Sequence, residues 1–225
     1  MRFEAPESLS EQIAQHIGQR IVVRSLKPGE RIQELKVAGE LNVSRGSVRE
    51  ALLILERRHL VEIYPRRGAV VSELTVSSVN ALYDIYIDLL CMLGRKVLER
   101  WAGHELNGLA AQVRNHGSLL GELSPSGNDP ERVIEAGFDL VRNACGMVEN
   151  PFLQETLENF RPAISRTYYM VLESRPGEAA ETGALFQKLA EAAMQSDAAQ
   201  LQQVIQQYGE HQRKLILTIL TEENA

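Results

Sequence analysis

Between Leu26 and Val71 the chain reads LKPGERIQELKVAGELNVSRGSVREALLILERRHLVEIYPRRGAVV. That spacing predicts two short helices joined by a tight turn and followed by a basic hairpin. The second helix carries Ser44, Arg45, Ser47 and Arg49 in its first turn and a half, while Val48, Leu52, Leu53 and Leu55 form its apolar side. A helix that enters a DNA groove needs this division. Polar groups near its N-terminus must reach phosphates and base edges, and the apolar stripe must anchor it to the rest of its domain.

Neighbouring segments extend the pattern. Ser8 or Ser10 can cap a first helix with Leu9, Ile13, Ile17, Ile21 and Val22 at helical spacing, and Lys27, Pro28 and Gly29 stop it. The next helix is expected over 33–41, Asn42 allows the turn, and Ser44 caps the recognition helix. Leu60–Tyr64 and Ala69–Ser72 read as strands with Pro65, Arg66, Arg67 and Gly68 at the tip between them. Such a tip can enter a minor groove or follow the backbone.

From Thr75 onward no strand pattern returns. Val79, Leu82, Tyr86, Leu89, Leu93 and Val97 fall on one stripe of a long helix that Thr75 can cap. A second helix is expected from about Glu105 to Leu123, and SPSGNDP at 124–130 is the clearest loop. Asp129-Pro130 opens a helix reaching about Cys145, and Asn150-Pro151 opens one that Pro162 should kink or split. Gly177 separates it from a helix ending near Gln195, and Asp197 caps a last one reaching about Leu220. The predicted fold is mainly α, with a winged helix-turn-helix over 1–74 and an all-helical bundle of six or seven helices over 75–225.

Charge divides the same way. Residues 1–75 hold 12 Lys and Arg against 10 Asp and Glu, whereas the remainder holds 12 against 20, for a net charge of −6 overall. A mildly basic head on an acidic helical body suits DNA contacts confined to one end. Cys91 and Cys145 are far apart in apolar helical surroundings and read as reduced thiols. No signal peptide opens the sequence and no stretch approaches the ~20 apolar residues of a membrane helix, so a soluble, cytoplasmic protein is expected. No HExxH, GxxxxGK, GxGxxG or Cys-His pairing occurs, and His16, His59, His104, His116 and His211 are scattered, so no enzyme is expected. RNA binding would call for exposed aromatic residues, and the head offers only Phe3 and Tyr64.

PGERIQE, LNVSRGSVREAL, the leucine-rich helix end, the Leu60-Val61 pair and the glycine-tipped wing resemble the winged-helix domain of the GntR transcription regulators across residues 9–72. The helical remainder resembles the effector domain of the FadR branch, in the form called FCD. The resemblance implies a dimer in which each protomer reads half of a short palindrome in double-stranded DNA. By position it assigns Arg45 and Arg49 as principal contacts, brings Ser44, Gly46 and Ser47 close to backbone or bases, and puts Arg66, Arg67 and Gly68 in the wing tip. Arg31 and Lys36 are expected at phosphates. Gly46 stands where relatives often carry a larger residue such as threonine, and Leu35 where FadR-type relatives carry an arginine.

In many FCD relatives one Asp and three His hold a metal that helps bind a small carboxylate. The matching positions here are Glu135, Asp139, Phe186 and Tyr208, so every histidine is replaced and no metal is expected. Tyr86 and Leu90 replace a family arginine and glutamate. These departures point to an apolar or aromatic acid as effector, with Tyr86, Leu90, Glu135, Asp139, Arg142, Arg166, Phe186 and Tyr208 as the expected pocket. The sequence therefore predicts a ligand-responsive DNA-binding repressor acting as a homodimer. The alternative is a constitutive DNA-binding regulator whose helical part only dimerises.

Overall fold

The computed structural model describes residues 8–101, 103–121 and 130–223. The expected loop SPSGNDP, apart from Pro130, lies outside them. The chain divides into two compact units. One takes the described residues through Leu74 together with 159–166, and the other takes 75–158 and 167–225.

The first unit contains α1 (Leu9–Val22), β1 (Arg31–Ile32), α2 (Glu34–Leu41), α3 (Arg45–Arg57), β2 (Val61–Tyr64) and β3 (Gly68–Val71). Ser8 caps α1 by accepting from the Glu11 amide at 3.2 Å, and Ser44 caps α3 by accepting from the Ser47 amide at 3.0 Å. Each such cap is worth about 1 kcal/mol. α1 ends at Val22, before the Lys27-Pro28-Gly29 stop expected from sequence, because Arg24 turns the chain with a positive φ of 59°. Asn42, at φ 53°, makes the turn between α2 and α3.

Ile13, Ile17 and Ile21 of α1 pack with Val48, Ala51, Leu52 and Leu55 of α3 in one buried cluster. Fully burying each of the larger side chains is worth about 1.5–3 kcal/mol. Leu53, expected on that buried side, is 47% exposed. Ala51 takes the inward position, since it falls one turn from both Val48 and Leu55. The sheet has the order β1-β3-β2, both pairings antiparallel, with Arg31 opposite Val70 and Tyr64 opposite Gly68. β1, only two residues long, leaves no strand pattern in the sequence.

The second unit is built from α4 (Val76–Arg100), α5 (Asn107–Gly121), α6 (Pro130–Val148), α8 (Ala179–Met194), α9 (Ala198–Glu223) and the parts of α7 (Pro151–Ser174) outside 159–166. Short 3₁₀ turns occupy Gly103–Leu106 and Pro176–Glu178. Thr75 opens α4 with a reciprocal cap, its hydroxyl accepting from the Ser78 amide at 3.1 Å while the Ser78 hydroxyl accepts from the Thr75 amide at 2.9 Å. The Asp197 carboxylate caps α9, accepting from the Gln200 amide at 2.9 Å. α7 runs unbroken through Pro162, where a split was one expectation.

α4 and α9 approach closely because glycines stand at their contact. A Cβ on Gly209 would fall 2.3 Å from Ile87, and one on Gly94 would fall 2.6 Å from Leu201. Against the expectation above, α4 is by length and composition apolar enough to cross a bilayer. In this fold it buries one stripe, Val79, Tyr83, Tyr86, Ile87, Leu93 and Val97, and exposes Asp84 and Asp88. The buried stripe runs through Tyr83 rather than Leu82.

Candidate nucleic-acid interface and ligand cavity

The α2 turn α3 segment collects cations on one carboxylate. Arg45 Nε donates to Glu34 Oε2 at 2.6 Å, and Arg49 Nη2 donates to the same oxygen at 3.3 Å. The Arg45 guanidinium, with that of Arg49 behind it, holds the Glu34 carboxyl below its usual range against the opposing effect of burial. The Glu34 side chain is only 18% exposed, whereas Arg45 and Arg49 are 56% and 61% exposed. One half-buried acid thus orients two guanidinium groups that are themselves more than half exposed. Such a pair can grip guanine O6 and N7 or a phosphate. Glu34 escaped the sequence reading because it lies 11 and 15 residues from its partners, across the turn.

Ser44 and Gly46 are exposed, Ser47 is half-buried, and the two serine hydroxyls lie 2.8 Å apart. A Cβ on Gly46 would meet nothing nearer than the Ser44 hydroxyl at 3.6 Å, so space does not dictate this glycine. In the wing, Arg66 and Gly68 both take positive φ, 66° and 79°. Gly68 adopts that conformation without the strain a Cβ brings. Arg66 and Arg67 are exposed, with Arg67 over the Tyr64 ring at 5.8 Å. Arg31 reaches the same tip, its guanidinium 3.8 Å from where a Gly68 Cβ would sit. Lys36 is exposed beside Glu40. The arginines assigned to DNA by sequence thus form two cationic groups, one on α3 and one on the wing, while Lys36 stands apart on α2.

The expected effector residues separate into two sets. Tyr86, Leu90, Phe186 and Tyr208 line a cavity of about 170 Å³ inside the second unit. Glu135, Asp139 and Arg142 do not line it: they lie exposed on the outer face of α6, where Arg142 pairs with Asp139 at 2.7 Å and reaches Glu158 at 3.5 Å. The inward face of α6 belongs to Val133, Phe138 and Leu140, since apolar burial decides which side turns in. Arg166 belongs to the first unit, where it is 2% exposed and its Nη1 donates to the Ser72 carbonyl at 2.8 Å.

The cavity wall is nearly all hydrocarbon and aromatic ring. Phe186 meets Tyr208 edge to face at 5.1 Å and His116 edge to face at 4.6 Å, and Tyr168 meets Tyr208 at 6.2 Å. Burial raises the phenols of Tyr86, Tyr168 and Tyr208, and Tyr168 hydrogen-bonds with both others. Gln212 donates to the Thr182 hydroxyl at 3.1 Å, which in turn donates to the Glu178 carbonyl. His116, which sequence left among scattered histidines, is 6% exposed in this wall. Burial alone pushes its pKa down to about 4.

The residues at the implied metal positions do not fit a metal. Glu135 and Asp139 face solvent, and Phe186 and Tyr208 present rings in place of imidazoles. Elsewhere Glu178, Glu181 and His211 bring one ligand atom each to within 4.8 Å of one another, with Glu181 exposed. Burial also pushes the Cys145 thiol up to about 11 and raises that of Cys91.

Comparison with known proteins bears on both units. The model of the bacterial regulatory proteins of the gntR family matches residues 9–71, and that of the FCD domain matches residues 81–211. The chain is 30% identical over 168 residues to the HTH-type transcriptional repressor RspR of Escherichia coli K12, covering 73% of this chain and 70% of that one. It is 36% identical over 156 residues to the gluconate operon transcriptional repressor of Bacillus subtilis, covering 68% and 60%. The match to the B. subtilis regulator YdhC is 30% identical and spans about half of each chain. In fold the chain is similar to E. coli McbR/YncC, with a TM-score of 0.76 at 19% identity over 95% of this chain and 99% of that one. A GntR transcriptional regulator from Rhodococcus sp. RHA1 gives a TM-score of 0.72 at 20% identity over 93% and 97%.

Proposed function

The chain belongs to the GntR family of bacterial regulatory proteins, DNA-binding transcription regulators, and carries an FCD domain, and from that premise we propose that it is a ligand-responsive repressor of the FadR branch, acting in the cytoplasm as a homodimer on a short palindromic operator. The observation that carries the reading is the pair of exposed guanidinium groups that Glu34 orients at the start of α3. Two such helices related by a two-fold axis read two half-sites, and Arg31, Arg66 and Arg67 on each wing supply phosphate or minor-groove contacts. The relatives named as repressors support the sign of regulation.

Ile85 and Met92, one heptad apart on α4, are 51% and 39% exposed, and this apolar surface supports pairing with a second copy rather than with a membrane. The aromatic cavity supports an apolar or aromatic effector, bound without a metal. It controls the operator only if the ligand favours one arrangement of the heads over another, since equal affinity for both shifts nothing. No catalytic step belongs to this reading.

Selection of bound duplexes from a random pool, followed by footprinting, tests the proposal. The expected product is a short palindrome protected by a dimer, with affinity falling steeply as salt rises because several phosphates are neutralised per protomer. Recovery of no common sequence, or of a site with no two-fold symmetry, would overturn it.

A further inference from the structure

Whatever enters the cavity exchanges water for its wall, so the charges and free polar atoms of that wall decide the ligand's class. Among the described residues no Arg or Lys lines it. The stretches of the second unit outside the described residues, 102, 122–129 and 224–225, contain none either. His116, whose pKa burial pushes down to about 4, is no cation at neutral pH. A carboxylate moved into this wall would give up its hydration and gain no answering charge, which is costly.

One lining residue is charged, the acid Glu178. It is half-buried, and its carboxylate lies within 4.8 Å of that of the exposed Glu181, so it belongs to the water-facing edge of the wall. The remaining polar groups are engaged or closed off. Tyr168 hydrogen-bonds with Tyr86 and Tyr208, and Gln212 donates to the Thr182 hydroxyl, which donates to the Glu178 carbonyl. His116 Nδ1 has no partner, but it is sealed even from a molecule the size of water, and no ligand reaches it. A hydroxyl or an amine brought among these groups would lose its water for nothing in return.

We propose that the cavity takes a small uncharged hydrocarbon, a molecule of about one ring that carries no hydrogen-bonding group. This rests on the reading of the cavity as the effector site, and it replaces the aromatic acid that sequence suggests with a compound that has no acid at all. Size agrees with the class: a dry apolar cavity of about 150 Å³ accepts benzene, and this one measures about 170 Å³. Packing agrees too. Tyr208 meets both Phe186 and Tyr168 edge to face, and a further ring extends the same arrangement. Selectivity in this scheme comes from rejection, since every polar analogue of the ligand must shed water that the wall does not replace.

Toluene, benzyl alcohol, benzylamine and benzoate share one carbon skeleton and differ in the group it bears. Titrated at pH 7.5 into the full chain and followed by melting midpoint and calorimetry, they test the proposal. Toluene should bind about tenfold more tightly than benzyl alcohol, the measure of a hydroxyl left without a partner, and benzylamine and benzoate should not bind. Saturating toluene should also change operator affinity severalfold in mobility shifts. Ala110 of α5 and Ala144 of α6 both line the cavity. Ala110→Leu and Ala144→Leu, which fill it from two helices, should each weaken toluene at least about tenfold, and retained operator binding certifies their fold. A polar analogue that binds as tightly as toluene, or toluene binding undiminished in both variants, overturns the hydrocarbon inference and leaves an effector site standing. Silence from all four probes, or toluene that binds without changing operator affinity, overturns the effector reading itself.

Discussion

The two units handle polar groups in opposite ways. In the head, arginines stand exposed on α3 and on the wing, and a half-buried acid serves to aim two of them. In the helical unit the charged groups of α6 lie outside, and the cavity keeps a neutral imidazole and three phenols among hydrocarbon. The first arrangement suits a polyanion that brings its own counterions. The second suits a small molecule that must shed its water to enter, and it teaches that one chain can recognise by charge at one place and by apolar fit at another.

The largest effect that separates the units comes from acid. His116 has an ordinary pKa near 6.5 when unfolded and about 4 in the fold. Between those values the unfolded chain holds a proton that the folded chain refuses. Stability from this group is therefore complete above about pH 6.5 and is lost as pH falls towards 4, by roughly 3 kcal/mol. Denaturant unfolding of the native protein and of His116→Phe at pH 7.5, 5.5 and 4.5 should show the native protein losing ground to the variant at each step. A constant difference across the series would mean that the imidazole is hydrated, and the contrast between a charged exterior and a neutral interior would fail at its best-defined residue.

The next effect belongs to the head. Arg45→Ala and Arg49→Ala should each weaken operator binding by an amount corresponding to about 1–3 kcal/mol, the worth of a bidentate base contact. Neither should lower the melting midpoint appreciably, because both side chains are more than half exposed. Electrophoretic mobility shifts on operator and on scrambled duplex distinguish the roles. Loss on both sequences alike would make these arginines phosphate contacts, and unchanged protection of the operator would remove α3 from the groove altogether.

What sequence made legible follows the same division. Ser44, Arg45, Asn42 and the wing tip can be read because capping, turning and groove contact are local requirements, written in residues near one another in the chain. The cavity is a tertiary product. Phe186 and Tyr208 could be placed through the family resemblance, but Glu135 and Asp139 could not be seen to face outward. A helix with acids and hydrophobes on neighbouring stripes turns whichever face its neighbours demand, and here Val133 and Phe138 are the ones buried. For the same reason Leu53 yields to Ala51, and His116 looks like any other histidine until α5, α6 and α8 close around it. Glu34 and the two-residue β1 are hidden differently, since each acquires its meaning from a partner far along the chain.

The smallest expected effect is none. A metal beside the cavity would add positive charge where no Arg or Lys stands among the described lining residues and weaken the contrast with the head, so chelation tests the comparison from the other side. Glu135 and Asp139 cannot answer Phe186 and Tyr208 across a shared ion, because the acids lie on the exposed face of α6 and the rings line the cavity. The three groups that do converge, Glu178, Glu181 and His211, supply two carboxylates and one imidazole. That is fewer donors than the four of a structural zinc site or the six to eight oxygens of calcium. Prolonged dialysis against EDTA should therefore leave the melting midpoint and operator affinity where they were. A midpoint that falls with EDTA and returns with Zn²⁺ or Mn²⁺ would assign an ion to this cluster, with the cavity's own Glu178 among its ligands, and His211→Ala would then abolish the response.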